Sequence, residues 1–561
     1  MRRVSHSPAL PVVVPHTVAD VIGATLHAHG VEVVFGVVGS GNFVATHALV
    51  QAGATFHAAR HENGAVAMAD GWARASGRVG VASVHQGPGL TNAMTALAEA
   101  AKSRTPLLVL AGDTPAAALG SNFRIDQHGL VASVGALAER LHAPETAAGD
   151  AARALQRARV ERRPVVLMLP IDVQAEPAQE APPPVAPAAS LPPRPAHAAV
   201  CAAADVLARA ERPVLVGGRG AVLADAGPAI EALGARCGAL LATSAVAKGL
   251  FAGLPYDLGI TGGFASPVAA GLLAEADVAV AFGARLNPWT TQHGRFFGAG
   301  TTVVHVDVEP AAFGAYRPPD VAVIGDAQAT ALALADELAA RGAARSAWRT
   351  PEVAARLARR WRDEPLEDAG SAEHIDPRAL SIAVDGMLPA DRAVATDSGA
   401  FLGYPAFYLE VPGPCDWVFT NGFQAVGLGL ATAIGTAVAA PDRVTVAAVG
   451  DGGLMMALPE LETAVRLGLR LLVLVYDDAA YGAEVHHFGP MGYELGTVRF
   501  PDADLAAFAR AAGAQAITVR ETADLAPLAA WVREGGGPLL VDGKVDPDVC
   551  ADWLTDAFRG G

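Results

Sequence analysis

The amino-acid sequence predicts an α/β protein of three domains, each a doubly wound parallel sheet wrapped by helices. Short apolar segments alternate with amphipathic ones along the chain, a pattern typical of parallel sheets covered by helices. Apolar residues make up 52% of the chain and aromatic residues only 6%, so the cores must consist mainly of Ala, Val and Leu, which favours close helix–sheet packing. The length of 561 residues suits about three or four domains.

Two stretches divide the chain. Residues 176–196 (EPAQEAPPPVAPAASLPPRPA) are dense in proline, which excludes helices and sheet ladders, so we expect an extended linker there. Residues 341–375 are rich in Arg and Glu around a helical pattern (EVAARLARRWRDE), and we expect a solvated connector. The predicted domains are therefore residues 15–180, 197–340 and 372–548.

The strongest strand predictions are short apolar runs that end in glycine or a polar residue. In such sheets ligands bind beyond the carboxyl ends of the strands, so the residues that follow each run are the ones to inspect. The runs are VEVVFGV, VGVASVH, PLLVLAG and PVVLMLP in the first domain, PVLVGG, DVAVAFG and TVVHVDV in the second, and AVATDSG, VTVAAVG, LLVLVYD and PLLVDG in the third.

Composition excludes several classes of protein. The net charge of −16 opposes binding to nucleic acid and to anionic membranes. The four cysteines form no CxxC pair and none sits beside clustered histidines, which argues against a zinc site or a disulfide scaffold. The N-terminus (MRRVSHSPALPVVVP) is interpreted as a frayed tail, and no apolar stretch reaches the ~20 residues of a membrane-spanning helix. We expect a cytoplasmic protein.

A phosphate and metal site is predicted in the third domain. The strand VTVAAV ends in Gly450-Asp451-Gly452-Gly453, and a helical repeat follows at Leu454, Leu458, Leu461 and Val465. The next strand ends in Asp477-Asp478, which lies 27 residues after Asp451. One strand–helix–strand unit would bring both carboxylates to the same sheet edge, where glycines and helix N–H groups admit phosphate and oxygen ligands suit Mg²⁺. The alternative for the glycines alone is an ordinary tight turn.

The segment GDGGLMMALPELETAVRLGLRLLVLVYDDAAYG resembles the cofactor motif of thiamine-diphosphate (ThDP) enzymes, which begins with GDG and ends with two asparagines. The resemblance implies that the side chains of Asp451 and Asp478 and the carbonyl of Ala480 bind Mg²⁺, with Tyr481 beside the cofactor. Asp477-Asp478 replaces Asn-Asn here, and the added negative charge opposes the diphosphate while favouring the metal. A second phosphate cradle is expected after the strand AVATD, at Ser398, Gly399, Ala400 and Phe401.

Two further segments are similar to the same family. FHAARHENGAVAMADGWARASG places Glu62 before small residues, where we expect a buried carboxylate, and the resemblance makes it the proton partner of the cofactor's aminopyrimidine. NGFQAVGLGLATAIG resembles the segment whose large apolar side chain bends the cofactor, which implies that role for Val426. An ordinary core valine is the alternative for that position.

The resemblance covers nearly the whole chain and is closest to the acetolactate synthase-like branch. It implies pyrimidine-binding, central and diphosphate-binding domains, and a homodimer or homotetramer with active sites at the dimer interface. The implied activity is decarboxylation of a pyruvate-like 2-oxo acid with carboligation to a second carbonyl compound. An aldehyde lyase or other specialised ThDP synthase, and an inactive regulatory homologue, are the alternatives.

The residues that could contact the substrate lie outside the motifs described above. Arg124 could clamp a carboxylate or simply lie at the surface, and each histidine could donate a proton or be structural. The full set is Val38, Gly39, Ser40, Gln86, Arg124, Gln127, His486 and His487. The central domain resembles the region where acetolactate synthases hold FAD, which leaves FAD open as a cofactor at Gly217, Gly218, Arg285 and Asp307.

Overall fold

The computed structural model describes residues 16–178, 191–359 and 361–557. The predicted N-terminal tail, most of the predicted linker, and residues 15, 179 and 180 of the first predicted domain lie outside them. The structure divides into two compact units. The first holds the described residues up to Val66 and from Val79 to 178, and the second holds Ala67–Arg78 with all described residues from 191 onward.

The first unit contains one sheet of six parallel strands. Its strands are β1 (Val33–Gly36), β2 (Thr55–Ala58), β3 (Gly80–Val84), β4 (Leu107–Asp113), β5 (Leu137–Arg140) and β6 (Pro164–Pro170). They pair in the order β2-β1-β3-β4-β6-β5. The helices of this part of the chain are α1 (Val18–Ala28), α2 (Phe43–Gln51), α3 (Glu62–Ser76), α4 (Pro88–Asn92), α5 (Met94–Lys102), α6 (Gln127–Ser133), α7 (Ala147–Glu161) and α8 (Ile171–Gln174).

The second unit contains two further sheets, and the first of them is the central one. Its strands are β7 (Pro213–Gly217), β8 (Leu240–Thr243), β9 (Asp257–Ile260), β10 (Val278–Phe282), β11 (Thr302–Asp307) and β12 (Val321–Ile324). They pair in the order β12-β11-β10-β7-β8-β9. Its helices are α9 (His197–Leu207), α10 (Arg219–Leu223), α11 (Gly227–Cys237), α12 (Pro267–Ala274), α13 (Ala327–Ala340) and α14 (Pro351–Leu357).

The third sheet carries the predicted phosphate and metal site. Its strands are β13 (Arg392–Thr396), β14 (Trp417–Phe419), β15 (Val444–Gly450), β16 (Leu471–Asp477), β17 (Gln515–Val519) and β18 (Leu539–Lys544). They pair in the order β14-β13-β15-β16-β18-β17. Its helices are α15 (Pro377–Met387), α16 (Gly403–Tyr408), α17 (Gly429–Ala439), α18 (Asp451–Ala457), α19 (Glu460–Arg466), α20 (Gly482–Phe488), α21 (Leu505–Ala511), α22 (Ala526–Glu534) and α23 (Asp552–Ala557).

These three parallel six-stranded sheets with their helices confirm the predicted fold class. In the third sheet the chain moves one way from β13 to β14 and the other way to β15, so the strand order reverses between β13 and β15. Ligands of doubly wound sheets bind at such a switch point, beyond the carboxyl ends of the strands. The turns after β13, β15 and β16 all lie at that edge.

Small residues let two helices approach closely within the second unit. A Cβ atom at Gly71 of α3 would lie 2.1 Å from the carbonyl oxygen of Thr432 on α17, and one at Gly435 would lie 1.8 Å from that of Met68. The two backbones are therefore in contact, and the Ala- and Gly-rich composition of both segments is explained by this packing.

Two local predictions were wrong. The helical repeat after Asp451 is split into α18 and α19 with Pro459 between them, because a proline lacks the N–H that a continuous helix needs. The predicted solvated connector is partly packed, since Val353 and Leu357 of α14 are buried against the central domain. Within the described residues, no helix is both long and apolar enough to cross a membrane.

Candidate cofactor site

Two carboxyl groups meet at the carboxyl end of the third sheet. Asp451 begins α18 directly after β15, and Asp478 follows the last residue of the neighbouring strand β16. Gly450 is the in-register partner of Tyr476, so the two turns lie side by side. A side-chain hydrogen bond joins Asp451 and Asp478, and both residues are half-buried. Burial, together with the neighbouring acidic side chains, raises the pKa of each carboxyl above its ordinary value.

The glycines of the same turn pack so closely against neighbouring side chains that a Cβ atom would not fit without a shift. A Cβ atom at Gly452 would lie 2.7 Å from Cε1 of Tyr481, and one at Gly450 would lie 3.2 Å from Cε1 of Phe401. Gly453 faces the carboxylate of Asp397, whose Oδ2 would be 2.3 Å from an added Cβ. The turn is therefore bare of side chains at its three glycines, because two aromatic rings and the Asp397 carboxylate occupy the space that a Cβ atom would need.

The predicted second cradle lies at the end of β13. Ser398, Gly399 and Ala400 are half-buried, whereas Phe401 is buried and stacks on Tyr476 with ring centroids 5.2 Å apart. A 3₁₀ turn at Ala400–Leu402 then leads into α16. The segment does open a helix, as the sequence predicted.

Asp397 was missed by the sequence analysis although it precedes this cradle. Its buried carboxylate accepts hydrogen bonds from the backbone N–H groups of Ser398 at 2.9 Å, Gly427 at 2.9 and 3.1 Å and Leu428 at 3.3 Å. Burial raises its pKa to about 6, while these backbone bonds act in the opposite direction. Its position directly after the strand AVAT, one residue before the predicted cradle, could have drawn attention to it.

Val426 lies on the loop that Asp397 holds. The loop carries two residues with positive φ, Gln424 at 60° and Gly427 at 91°. Val426 is 39% exposed, so it is not an ordinary core valine, and its Cγ1 would be 3.4 Å from a Cβ at Gly453. The structure thus brings the predicted wedge residue to the glycine turn.

The segment after Asp478 contains the remaining predicted residues of this unit. The N–H of Ala480 donates to Oδ1 of Asp478 at 3.1 Å, and Tyr481 packs edge-on against Phe500. His486 and His487 lie half-buried on α20, and burial lowers the pKa of His486. This segment follows the acidic turn directly, so α20 begins within four residues of Asp478.

Glu62 lies in the first unit as the first residue of α3. The side chain of Asn92 donates a hydrogen bond of 3.0 Å to its Oε2, and a Cβ at Gly89 would come within 3.3 Å of its Oε1. Glu62 is half-buried, and the full burial expected from the neighbouring small residues is not observed. Asn92 was missed, although it is the last residue of the segment GPGLTN, which follows Gln86 directly.

Among the other predicted residues of the first unit, Gln86 and Gln127 both lie against the backbone of Gly112. Gln127 is buried and bonds the backbone of Gly87 and Gly112. Gln86 is also buried, with its Oε1 against the backbone of Gly41 and Gly112. The remaining members of the set are half-buried or exposed, namely Val38, Gly39, Ser40 and Arg124. Arg124 is exposed, which agrees with the alternative that it simply lies at the surface.

The glycines of the central domain are explained by packing. A Cβ at Gly217 would lie 2.5 Å from Leu250, and one at Gly218 would lie 2.4 Å from Cα of Ala284. Arg285 is exposed, and Asp307 accepts a hydrogen bond from the N–H of Glu309 at 2.9 Å. Packing within the protein therefore explains these two glycines, and FAD binding by the central domain stays a prediction.

A group that the sequence did not predict lies on α9 and α13. Sγ of Cys201 is 3.5 Å from Nε2 of His197 and 3.7 Å from Oε1 of Glu337. The same Oε1 accepts a 2.8 Å hydrogen bond from Arg341, and this salt bridge compensates the charge of Glu337 without a metal. His197 reaches Cys201 because i and i+4 positions share one helix face.

The residues at the third sheet fit Mg²⁺ and a diphosphate. The hydrogen bond between Asp451 and Asp478 requires a proton on one of the two carboxyl groups. Without that proton the two carboxylates repel one another, and a divalent cation bound by both would remove that repulsion. Carboxylate oxygens together with the carbonyl of Ala480 are hard ligands of the kind Mg²⁺ prefers. The bare glycine turn beside them suits the phosphate oxygens that would complete the metal's coordination.

Comparisons with known proteins agree with this geometry. Residues 16–134 match the model of the N-terminal TPP binding domain of thiamine pyrophosphate enzymes, residues 200–334 match that of the central domain, and residues 397–543 match that of the C-terminal TPP binding domain.

Proteins with different names are similar to this chain over most of its length. A probable 2-ketoarginine decarboxylase of Pseudomonas aeruginosa is 34% identical over 93% of this chain and 92% of the relative. An acetolactate synthase large subunit of Parasynechococcus marenigrum is 32% identical over 81% of this chain and 75% of the relative. A sulfoacetaldehyde acetyltransferase of Castellaniella defragrans is 30% identical over 97% and 94%, respectively. Matches to all three domain models and to relatives along nearly the full length show that the chain belongs to the thiamine pyrophosphate enzyme family.

Proposed function

We propose that this protein is a ThDP- and Mg²⁺-dependent enzyme that decarboxylates a 2-oxo acid and joins the remaining fragment to a second carbonyl compound. The observation that carries the proposal is the contact between Asp451 and Asp478 beside the bare glycine turn. In this proposal Asp451, Asp478 and the carbonyl of Ala480 hold Mg²⁺. The diphosphate lies against two backbone segments, Gly450–Gly453 and Ser398–Phe401, with the ring of Tyr481 beside it.

Glu62 is proposed to hold the proton that the cofactor's aminopyrimidine requires. When bound, ThDP supplies the electron sink into which a 2-oxo acid can lose CO₂. Glu62 keeps one carboxylate oxygen in a hydrogen bond with Asn92, and that bond would orient the other oxygen toward the pyrimidine ring. Asn92 is therefore proposed as a positioning residue for the glutamate.

The locations of four other side chains bear on their roles. Val426, exposed beside Gly453, is proposed to support the bend of the cofactor. His486 and His487 on α20 are proposed to donate protons to an oxygen anion that develops on the substrate. Gln86 is buried against Gly41 and Gly112, so any effect on catalysis would act through the position of that backbone.

The domain assignment and the assembly are part of the same proposal. Residues 15–180, 197–340 and 372–548 are proposed as the pyrimidine-binding, central and diphosphate-binding domains. We propose a homodimer or homotetramer with active sites at the dimer interface. Apolar exposure beside the site supports a subunit contact there, since Met455 and Met456 of α18 are 43% and 56% exposed.

A second candidate reaction is decarboxylation alone, with release of an aldehyde from a 2-oxo acid that bears a guanidinium group. The similarity to the probable 2-ketoarginine decarboxylase, which spans 93% of this chain, favours it. The two reactions share every residue assigned above and differ only in the substrate and in the fate of the fragment after CO₂ is lost.

Product analysis separates these candidates. Purified protein is incubated with ThDP, Mg²⁺ and either pyruvate or 2-ketoarginine, each with and without an aldehyde or a second 2-oxo acid as acceptor. A hydroxy ketone or hydroxy-oxo acid from pyruvate supports the first reaction, and an aldehyde from 2-ketoarginine supports the second. Cleavage of an added hydroxy ketone, without loss of CO₂ from either acid, would point to an aldehyde lyase. Asp451→Ala serves as the control, and absence of any ThDP-dependent turnover would overturn the proposal.

A further inference from the structure

We infer that Lys544 is a positioning residue of the diphosphate site, which binds the carboxylate of Asp477 and turns it away from the metal-binding pair. This inference rests on the proposed function of Asp451 and Asp478. It explains how the chain accommodates Asp477 and Asp478 at the positions where the ThDP motif has two asparagines.

The two aspartates point to opposite sides of β16. Asp478 is hydrogen-bonded to Asp451, which lies on the side of β15. Asp477 is the in-register partner of Lys544 on β18, the strand on the other side of β16. Its Oδ2 accepts from Nζ of Lys544 at 2.6 Å, and its Oδ1 accepts from the N–H of Ala479 at 3.1 Å. Both oxygens of Asp477 are thus engaged away from Asp451.

Lys544 is held firmly in this position. Its side chain is 6% exposed, and Nζ also donates to Oδ1 of Asp502 at 2.5 Å and to the carbonyl of Ala503 at 2.9 Å. Oδ2 of the buried Asp542 lies 3.2 Å away. Burial alone would lower the pKa of Lys544, but the hydrogen bonds with Asp477 and Asp502 raise it above its ordinary value. The lysine is therefore a fixed positive charge.

The charge of Asp477 matters to the neighbouring turn. Asp477 directly precedes Asp478 in the chain, so the field of its negative charge reaches the metal-binding pair. An anionic diphosphate would be repelled by the same field. The positive charge of Lys544 opposes that field from the far side of β16. Its hydrogen bond with Asp477 also prevents the Asp477 carboxylate from turning toward the phosphate.

The decisive variant is Lys544→Met, which removes the charge and keeps most of the length. A cavity of about 390 Å³ adjoins the lysine and is lined also by Asp477, Asp478, Asp502 and Arg520, so there is room for the new side chain. ThDP affinity is measured at saturating Mg²⁺ from the quenching of tryptophan fluorescence, and the thermal midpoint of the apoprotein is measured in parallel. We expect the dissociation constant of ThDP to rise about tenfold or more.

The second-site variants make the test specific. Asp477→Asn in the Lys544→Met background removes the uncompensated charge and should restore ThDP affinity to within about threefold of wild type. Asp502→Asn, which removes a carboxylate that contacts the same lysine, should not restore it. Lys544→Arg should retain affinity because the positive charge remains. If Lys544→Met is insoluble, solubility and ThDP binding of the two double variants provide the same comparison.

The outcomes distinguish this inference from the proposed function. Wild-type protein that shows no Mg²⁺-dependent ThDP binding would overturn both. Wild-type binding together with unchanged affinity in Lys544→Met would overturn the inference alone, even if the thermal midpoint fell. Equal rescue by Asp477→Asn and Asp502→Asn would also overturn it, because the lysine would then have no particular relation to Asp477.

Discussion

The carboxylate of Asp397 accepts the backbone N–H of Gly427 with both of its oxygens, at 2.9 and 3.1 Å, and so ties the end of β13 to the loop that carries Val426. The two residues are 30 positions apart in the chain. Because Ser398 and Leu428 donate to the same carboxylate, one buried group fixes both the proposed phosphate cradle and the proposed wedge.

Removal of this carboxylate is predicted to disturb cofactor binding as well as stability. Asp397→Ala leaves several buried N–H groups without an acceptor, which should lower the free energy of unfolding by roughly 2 kcal/mol or more. ThDP affinity should fall because the Val426 loop loses its anchor. Thermal unfolding and fluorescence titration with ThDP measure the two effects.

A matched control for this prediction is Asp326→Ala. Asp326 caps α13 in the central domain by accepting from the N–H groups of Gln328 and Ala329. Its loss should destabilise the protein by about 1 kcal/mol without changing ThDP affinity. The anchoring role would be refuted if both variants lost stability while the ThDP dissociation constant stayed unchanged in Asp397→Ala.

The two metal-binding carboxylates are predicted to respond differently to substitution. Asp451→Ala removes a charged ligand and should weaken Mg²⁺ binding by more than about a hundredfold, beyond the effect typical of outer-shell partners. Asp478→Asn keeps an oxygen at the same reach and should stay within about tenfold of wild type. The measurement is Mg²⁺ titration of ThDP binding. An unchanged Mg²⁺ dependence in Asp451→Ala would contradict the assignment of Asp451 as a metal ligand.

Glu62 offers a test that separates its chemical role from cofactor binding. Glu62→Gln keeps the shape of the side chain but removes the exchangeable acid, and should lower turnover at least about a hundredfold. Exchange of the C2 proton of bound ThDP with D₂O, followed by NMR, should slow in parallel, while ThDP affinity changes little. Normal exchange in the variant would exclude the proposed role.

Mixing two inactive variants tests the proposed dimer interface. If each site uses Glu62 of one subunit and Asp451 of the other, dissociated and reassembled Glu62→Gln and Asp451→Ala subunits form mixed dimers with one intact site. Random pairing in a two-fold dimer should then recover about a quarter of wild-type activity. Sites formed within a single subunit would recover none, and either variant reassembled alone serves as the control.

The parts of the fold that the sequence predicted well are the central strands. Strands such as β15 and β16 are buried on both faces, so they are continuous apolar runs that end in the residues of the site. Two strands were not identified: β14 is buried but has only three residues, and β17 has mixed burial. Their pairing partners, rather than their own composition, determine that they are strands.

The site was predicted only where its residues form a local motif. Asp451 and Asp478 follow adjacent strands, and spacing along the chain is enough to place them together. Asp397 and Lys544 act through contacts with residues 30 and 67 positions away, set by the closure of a loop and by strand register. A single buried charge has no periodic pattern, so such partners emerge only from the folded structure.

Lys248 connects the central domain to the third sheet through its ammonium group. Nζ donates to the carbonyl oxygens of Leu409 at 2.6 Å, Ala406 at 2.7 Å and Pro405 at 3.2 Å, and lies 4.5 Å from the ring of Trp417. Burial lowers the pKa of Lys248 to about 7, an effect that Asp385 and Glu410 oppose and that Arg392 and Arg362 reinforce.

This pKa predicts that Lys248 makes the stability of the protein depend on pH. The folded pKa of about 7 lies below the ordinary value of 10.5, so between these values the unfolded chain binds more protons than the folded one. The contribution of Lys248 to stability should therefore rise as pH increases from 7 toward 10. Urea unfolding of wild type and Lys248→Met at pH 7, 8 and 9 should give a midpoint difference that shifts steadily in favour of wild type. Lys102→Met, which replaces an exposed lysine at the end of α5, is the control and should show a constant difference. A constant difference for Lys248→Met as well would mean that its ammonium remains charged across this range, held by the three carbonyls despite its burial.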